Sequence, residues 1–185
     1  MNDWFETLDG LRAHVWHHLL QGVADRDAAA RHPVLATHSP DGWPEARTVV
    51  LRAADEKVGT VEAHTDLFSD KIVSLRNLPR AALHVWEAED RLQIRLSLSV
   101  EIQSGAEVAA LWARVPDHSR QSYGVTPPPG TPIARALGYD KTPDPASFAV
   151  LRCTVQTIDA VHLGPVHRRA MYRRDDGWTG QWLSP

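Results

Sequence analysis

Apolar positions recur first at the spacing of a helix and then at the spacing of a strand. Leu11, Val15, Trp16 and Leu19 fall three to four residues apart, which predicts one buried helical face, and Thr7 or Asp9 stands where an N-cap would. From Pro33 the period drops to two. VLATHS and ARTVVLR flank PDGWPE, whose Asp-Gly step signals a turn, and VGTVEAHT and AALHVWE follow with SDKIVSLRNLP between them. In that last stretch Ser69 is placed to cap a short helix that buries Ile72 and Leu75 and stops at Pro79. The longest alternation is RLQIRLSLSVEIQ. Leu92, Ile94, Leu96, Leu98, Val100 and Ile102 oppose Gln93, Arg95, Ser97, Ser99, Glu101 and Gln103, predicting a long strand with one dry face and one wet face. Ser104 and Glu107 then form S-x-x-E, a capping-box signal for a helix through Val108, Leu111 and Trp112 that Pro116 ends. Residues 117–146, which include TPPPGTP, read as a long surface loop. FAVLRCTVQTI and RRAMYRR are two more strands, and Asp175-Asp176-Gly177 turns the chain into WTGQWL. The sum is a mainly β chain, an antiparallel barrel with helical additions, expected to be one domain over residues 1–185 with a helical segment at 1–32.

Composition narrows the functions open to this fold. A length of 185 residues supports a sizeable core, and a net charge of -3 argues against a nucleic-acid binder, which needs clustered surplus cations. No apolar run approaches the length of a membrane span, and MNDWFETLDG lacks the basic and apolar regions of a signal peptide, so a cytoplasmic protein is expected. The one cysteine, Cys153, lies in FAVLRCTV and reads as a buried, inert thiol. His14, His17 and His18 lie near one helical face. No carboxylate or cysteine beside them in sequence completes a ligand set, so a solvated face and no metal centre are expected.

The stretch ARTVVLR poses the sharpest question. Strand alternation puts Arg47, Val49 and Leu51 on one face and Thr48, Val50 and Arg52 on the other, so each face carries a guanidinium among apolar groups. Two arginines snorkelling from strand ends would explain this, and so would an anion held at the edge of a sheet.

Taken in order, ARTVVLR, AHTDLFSDK, NLPRAALHVW, RLQIRL, HRRAMYRRDDGW and the terminal WLSP resemble the pyridoxamine 5'-phosphate oxidase family of FMN-binding split barrels, and within it the divergent Alr4036-type branch. The resemblance runs from about Val34 to Pro185 and implies an FMN site with these parts. The backbone of Thr48, Val49, Val50 and Leu51 would lie along the flavin. Arg47, Ser69 and Lys71 would meet its phosphate, and His64 and Thr65 would touch it from a strand end. Gln93, and the Gln121–Ser122 pair, would reach the flavin of a partner subunit in a homodimer, and Arg169 would lie near it. Arg52 and His167 would face a small-molecule substrate.

Departures from the family pattern concern the substrate. Asp70 stands where the phosphate site usually has an arginine, so either it points to solvent or the grip on the phosphate is weaker. Leu111, Val115 and Pro165 occupy positions where the oxidase proper uses polar groups to hold the vitamin B6 phosphate. An FMN-dependent oxidoreductase with another substrate is therefore expected. A non-catalytic flavin carrier or sensor, or a split barrel that binds haem or a deazaflavin, are the alternatives.

Overall fold

The computed structural model describes residues 3–185, so the first two residues of the expected 1–32 segment lie outside it. Helix α1 spans Leu8–Ala24 and begins where Thr7 accepts a hydrogen bond from the Gly10 N–H at 3.0 Å. Leu11, Val15, Trp16 and Leu19 are all buried, as their spacing requires. Each such side chain stabilises the fold by about 1.5–3 kcal/mol through burial. The Arg31 guanidinium closes the other end, donating to the Val23 carbonyl at 3.1 Å and to the Leu51 carbonyl at 3.2 Å. Gly22 permits the approach: a Cβ there would lie 2.5 Å from the Ala30 backbone.

Strands β1 (Val34–His38), β2 (Pro44–Thr48), β3 (Leu51–Asp55) and β4 (Thr60–Asp66) precede α2 (Asp70–Asn77). Strands β5 (Arg80–Glu87) and β6 (Leu92–Ser104) follow, then two single-turn helices, α3 (Ala109–Trp112) and α4 (Asp117–Arg120). A small ribbon of β7 (Val125–Thr126) and β8 (Asp140–Lys141) leads to β9 (Phe148–His162), β10 (Arg168–Arg173) and β11 (Gln181–Leu183). Every pairing is antiparallel, in the order β11-β10-β9-β6-β5-β1-β2, with β3 on β4 and β4 on β9. The sheet therefore closes through one stretch of chain: β2 pairs with β1, and the next strand, β3, pairs with β4. The inward faces of these strands and of α1 share a core that includes Leu35, Leu51, Leu83, Ile94, Leu96, Leu151 and Tyr172.

Several expectations need correcting. ARTVVLR is not one strand, because the ladder is interrupted at Val49–Val50, where the chain passes from β1 to β4. Val49 and Leu51 still face the core. Ser69 takes the N-cap position of α2, but its hydroxyl donates to the Asp66 carbonyl at 2.7 Å and does not cap the helix. Ser104 makes no side-chain cap either, and the helix expected behind it splits into a 3-10 turn over Gly105–Val108 and the four-residue α3. Residues 117–146 carry structure of their own in α4 and the β7–β8 ribbon. Gly124 anchors that segment: its N–H donates to Asp66 Oδ2 at 3.1 Å, and at φ 102° a Cβ would strike the Thr142 carbonyl at 2.1 Å. Cys153 is buried and its thiol is pushed up to about 12 by burial, which agrees with an inert group. Among the described residues no helix is long and apolar enough to cross a membrane.

Candidate functional site

Two cations meet in a cleft of about 500 Å³ lined by Glu45, Ala46, Arg47, Ser69, Asp70, Lys71 and Pro129. Arg47 comes from β2, and Lys71 from the first turn of α2, immediately after the buried end of β4. The Lys71 ammonium donates to the Thr65 and Ser69 hydroxyls, both at 3.0 Å. Those two hydroxyl oxygens stand 3.3 Å apart. Burial lowers the Lys71 pKa, and the Arg47 charge lowers it further. Two like charges held together this way favour an anion between them, and the neighbouring Asp66 and Asp70 carboxylates offset part of that demand. The cleft also contains acid. Arg47 Nη2 donates to Glu45 Oε2 at 3.0 Å, and its Nη1 donates to the Thr37 hydroxyl at 2.7 Å and the Leu35 carbonyl at 3.2 Å. Asp70 is exposed, and its carboxylate also lies against Gly130, where a Cβ would be 2.9 Å from either oxygen.

Past the break in the ladder, the same stretch of chain carries Arg52. It sits in a β-bulge, since Leu51 pairs with Ala63 while Ala53 pairs with Glu62. A bulge re-aims its side chain out of the regular alternation. Arg52 Nε is buried without a hydrogen-bond partner among the described residues. Its charge acts on His64 and on the Tyr123 hydroxyl. The His64 ring meets Phe148 edge-on at 5.0 Å, and its pKa falls to about 4, first through burial and then through Arg52. It is a neutral imidazole at physiological pH. Tyr123 packs on Phe148 with Val108, Val115 and Val150, and Leu111 and Trp112 lie against them. Gln121 and Ser122 are exposed just before it, at the end of α4.

The remaining residues lie elsewhere. Thr65 pairs with Ala149 at the start of β9, whereas Gln93 and Arg169 both pair with Val161 near its other end. Twelve positions of strand separate the two rows, up to about 40 Å. His167, exposed in the turn before β10, belongs to the far row. Arg169 is also engaged, forking onto Asp159 with Nε–Oδ1 at 3.0 Å and Nη2–Oδ2 at 2.9 Å, while Arg95 grips the same buried carboxylate. One chain thus gathers Arg47, Thr65, Ser69, Lys71, Arg52 and His64 at one end and leaves Gln93, Arg169 and His167 at the other.

Three positioning residues escape the sequence reading. Asp66 joins the Phe68 and Gly124 N–H groups through its two oxygens, Tyr123 fills the wall beside Arg52, and Glu45 orients Arg47. Only the first leaves a local trace, since Asp66-Leu67-Phe68 is a side-chain-to-backbone turn.

The family model for the pyridoxamine 5'-phosphate oxidase FMN-binding domain matches residues 13–104. A pyridoxine/pyridoxamine 5'-phosphate oxidase from Trichormus variabilis is 31% identical over 167 residues, spanning 82% of this chain and 77% of that protein. Among solved structures, a pyridoxamine 5'-phosphate oxidase-related, FMN binding protein from Nostoc punctiforme superposes with a TM-score of 0.77 at 26% identity, over 94% of this chain and 97% of its own. PhzG from Burkholderia lata, in complex with tetrahydrophenazine-1-carboxylic acid, shares the fold with a TM-score of 0.75 at 21% identity, over 100% and 97%. A closed antiparallel sheet with a cationic cleft at the break in its closing strand is thus accompanied by sequence kinship over most of the chain, and this chain belongs to the pyridoxamine 5'-phosphate oxidase family.

Proposed function

We propose that this chain is an FMN-dependent oxidoreductase acting on a small molecule, with each flavin seated between two copies of the chain. The observation that carries the reading is the meeting of Arg47 and Lys71 in one half-buried cleft, with the Lys71 ammonium held in place by the Thr65 and Ser69 hydroxyls that accept from it. These groups suit a phosphate, which would accept charge-assisted hydrogen bonds from both cations. The backbone of Thr48, Val49, Val50 and Leu51 leads away from Arg47 across the gap in the ladder, with the Val49 and Leu51 side chains turned into the core, so it is the backbone that would lie along a flavin. When bound, FMN supplies hydride chemistry, and the chain supplies position and electrostatics.

Arg52, with a buried donor lacking a partner, and the neutral His64 border the same end. Arg52 is assigned to substrate and His64 to the cofactor edge. Gln93, Arg169 and His167 lie too far along β9 to serve that site from the same chain, so a two-fold related copy would supply them, with Gln121 and Ser122 exposed toward it. The substrate is assigned to a class other than pyridoxamine phosphate. Leu111 and Val115 belong to an apolar cluster with Tyr123 and Phe148 and offer no phosphate a donor.

The test is the absorption spectrum of the purified protein, before and after incubation with FMN, followed by addition of NADH or NADPH. A flavin spectrum that bleaches on reduction supports the reading. Protein that takes up no FMN overturns it, and bound flavin that no reductant reaches would reduce it to a flavin carrier.

A further inference from the structure

His14 and His18 lie one helical turn apart on α1, so their rings share a face. The turn between β5 and β6 brings Asp90 to them from more than seventy residues away. His14 Nε2 stands 2.6 Å from Asp90 Oδ2, His18 Nε2 stands 2.8 Å from the same oxygen, and the two nitrogens are 3.0 Å apart. This corrects the expected solvated face, since the missing carboxylate is supplied by the fold.

Both rings can donate to the one carboxylate oxygen, but the two nitrogens then stand 3.0 Å apart with no bond between them. Good hydrogen bonds are nearly linear, whereas each ring nitrogen has one in-plane direction and must face two partners about 60° apart. All three atoms carry lone pairs that a single cation would accept. The circle through them has a radius of about 1.6 Å, so an ion at about 2.05 Å from each would stand about 1.2 Å off their plane. The ligand–ion–ligand angles would then be about 80–95°, near the 90° of an octahedral face and well short of tetrahedral.

We propose that His14, His18 and Asp90 hold a divalent first-row transition ion on one face of an octahedron, with the opposite positions left to water. The surroundings fit that role. Glu87, itself buried, lies with Oε1 3.6 Å from His18 Nδ1, too long for a hydrogen bond but on the side where its negative charge favours the proton on Nδ1 and the lone pair on Nε2. Trp4 stacks on the His14 ring at 4.0 Å and 16°, fixing its plane. A cleft of about 390 Å³ beside Trp4, Gly10, His14 and His17 gives an ion a way in from solvent. The ion would clamp α1 to the β5–β6 turn. None of these residues belongs to the proposed flavin site, so the two proposals stand or fall separately.

The test is calorimetric titration of untagged protein with Ni²⁺ in a buffer that does not coordinate metal. The expected result is one equivalent bound with micromolar or tighter affinity and a raised Tm. His14→Gln, His18→Gln and Asp90→Asn should each weaken binding at least tenfold, while His17→Gln, on the exposed side of the same helix, should change it less than twofold. Glu87→Gln should weaken binding by less than the three ligand variants. Circular dichroism establishes that each variant folds, and the Co²⁺ spectrum of the unaltered protein, expected to show the weak bands of six-coordinate cobalt, gives a readout needing no variant. Absence of stoichiometric Ni²⁺ binding, equal losses for His17→Gln and His18→Gln, or strong tetrahedral cobalt bands would overturn the assignment.

Discussion

Acidification should expose His64. Burial and the nearby Arg52 charge lower its pKa from 6.5 to about 4. As pH falls, the unfolded chain therefore takes up this proton first, and protonation draws the equilibrium toward unfolding. The stability linked to a neutral His64 is complete above about 6.5 and is lost progressively as pH falls toward about 4. At pH 5 the unfolded imidazole is almost wholly protonated and the folded one is about a tenth protonated, so the cost is about 2 kcal/mol. Other histidines titrate in the same range, and a difference isolates this one. Flavin-free protein and its His64→Gln variant should be unfolded in urea at pH 7.5 and at pH 5. The unaltered protein should lose about 2 kcal/mol more than the variant between the two pH values. Equal losses, or a His64 proton resonance that titrates near its ordinary value, would refute the claim that this imidazole is buried against Arg52.

Further expectations concern the cofactor and the assembly. Arg47→Ala should cost roughly 1.5–3 kcal/mol of FMN affinity, one to two decades, and should leave riboflavin much less affected, because it also frees Glu45 to repel the phosphate; fluorescence titration with both ligands checks this. Arg52→Ala should leave FMN affinity within a factor of about two while weakening any ligand that quenches from above the ring. Asp70→Asn removes a carboxylate from the rim of the cleft and should tighten FMN by roughly threefold to tenfold, on the order of 1 kcal/mol, with the gain shrinking in high salt. Sedimentation of the flavin-loaded protein at micromolar concentration should give a dimer, and a monomer retaining tightly bound FMN would count against a site shared between copies.

Local chemistry made much of the fold legible in the sequence. The alternation from Leu92 to Glu101 is reproduced residue by residue, and α1 begins at Thr7 and buries the four side chains its spacing marks. Ser69 and Ser104 show where local chemistry misleads. Each occupies a cap position, yet no cap bond forms, and the Ser69 hydroxyl is bound instead to Asp66 and Lys71. The site residues near ARTVVLR and AHTDLFSDK were readable because one short region carries them. The His14–His18–Asp90 cluster was not, because its carboxylate arrives through the register of β5 and β6. The bulge at Arg52 was hidden for the same reason, since it arises in the pairing of β3 with β4.

The length of β9 has a consequence for the order in which this chain acquires its structure. That strand is paired with β4 over Phe148–Thr154, with β6 along almost its whole length, and with β10 over Thr157–His162. During synthesis, residues up to 147 can form α1, the β1–β2 hairpin, the β3–β4 hairpin and the β5–β6 hairpin, all from neighbouring segments. The edges of β4 and β6 then stay open until β9 is made, and β9 must reach back across roughly ninety residues to find β4. Closure is thus a late, long-range event. A nascent or truncated chain ending before Phe148 presents two unpaired apolar edges, the condition under which chaperones bind and aggregation begins.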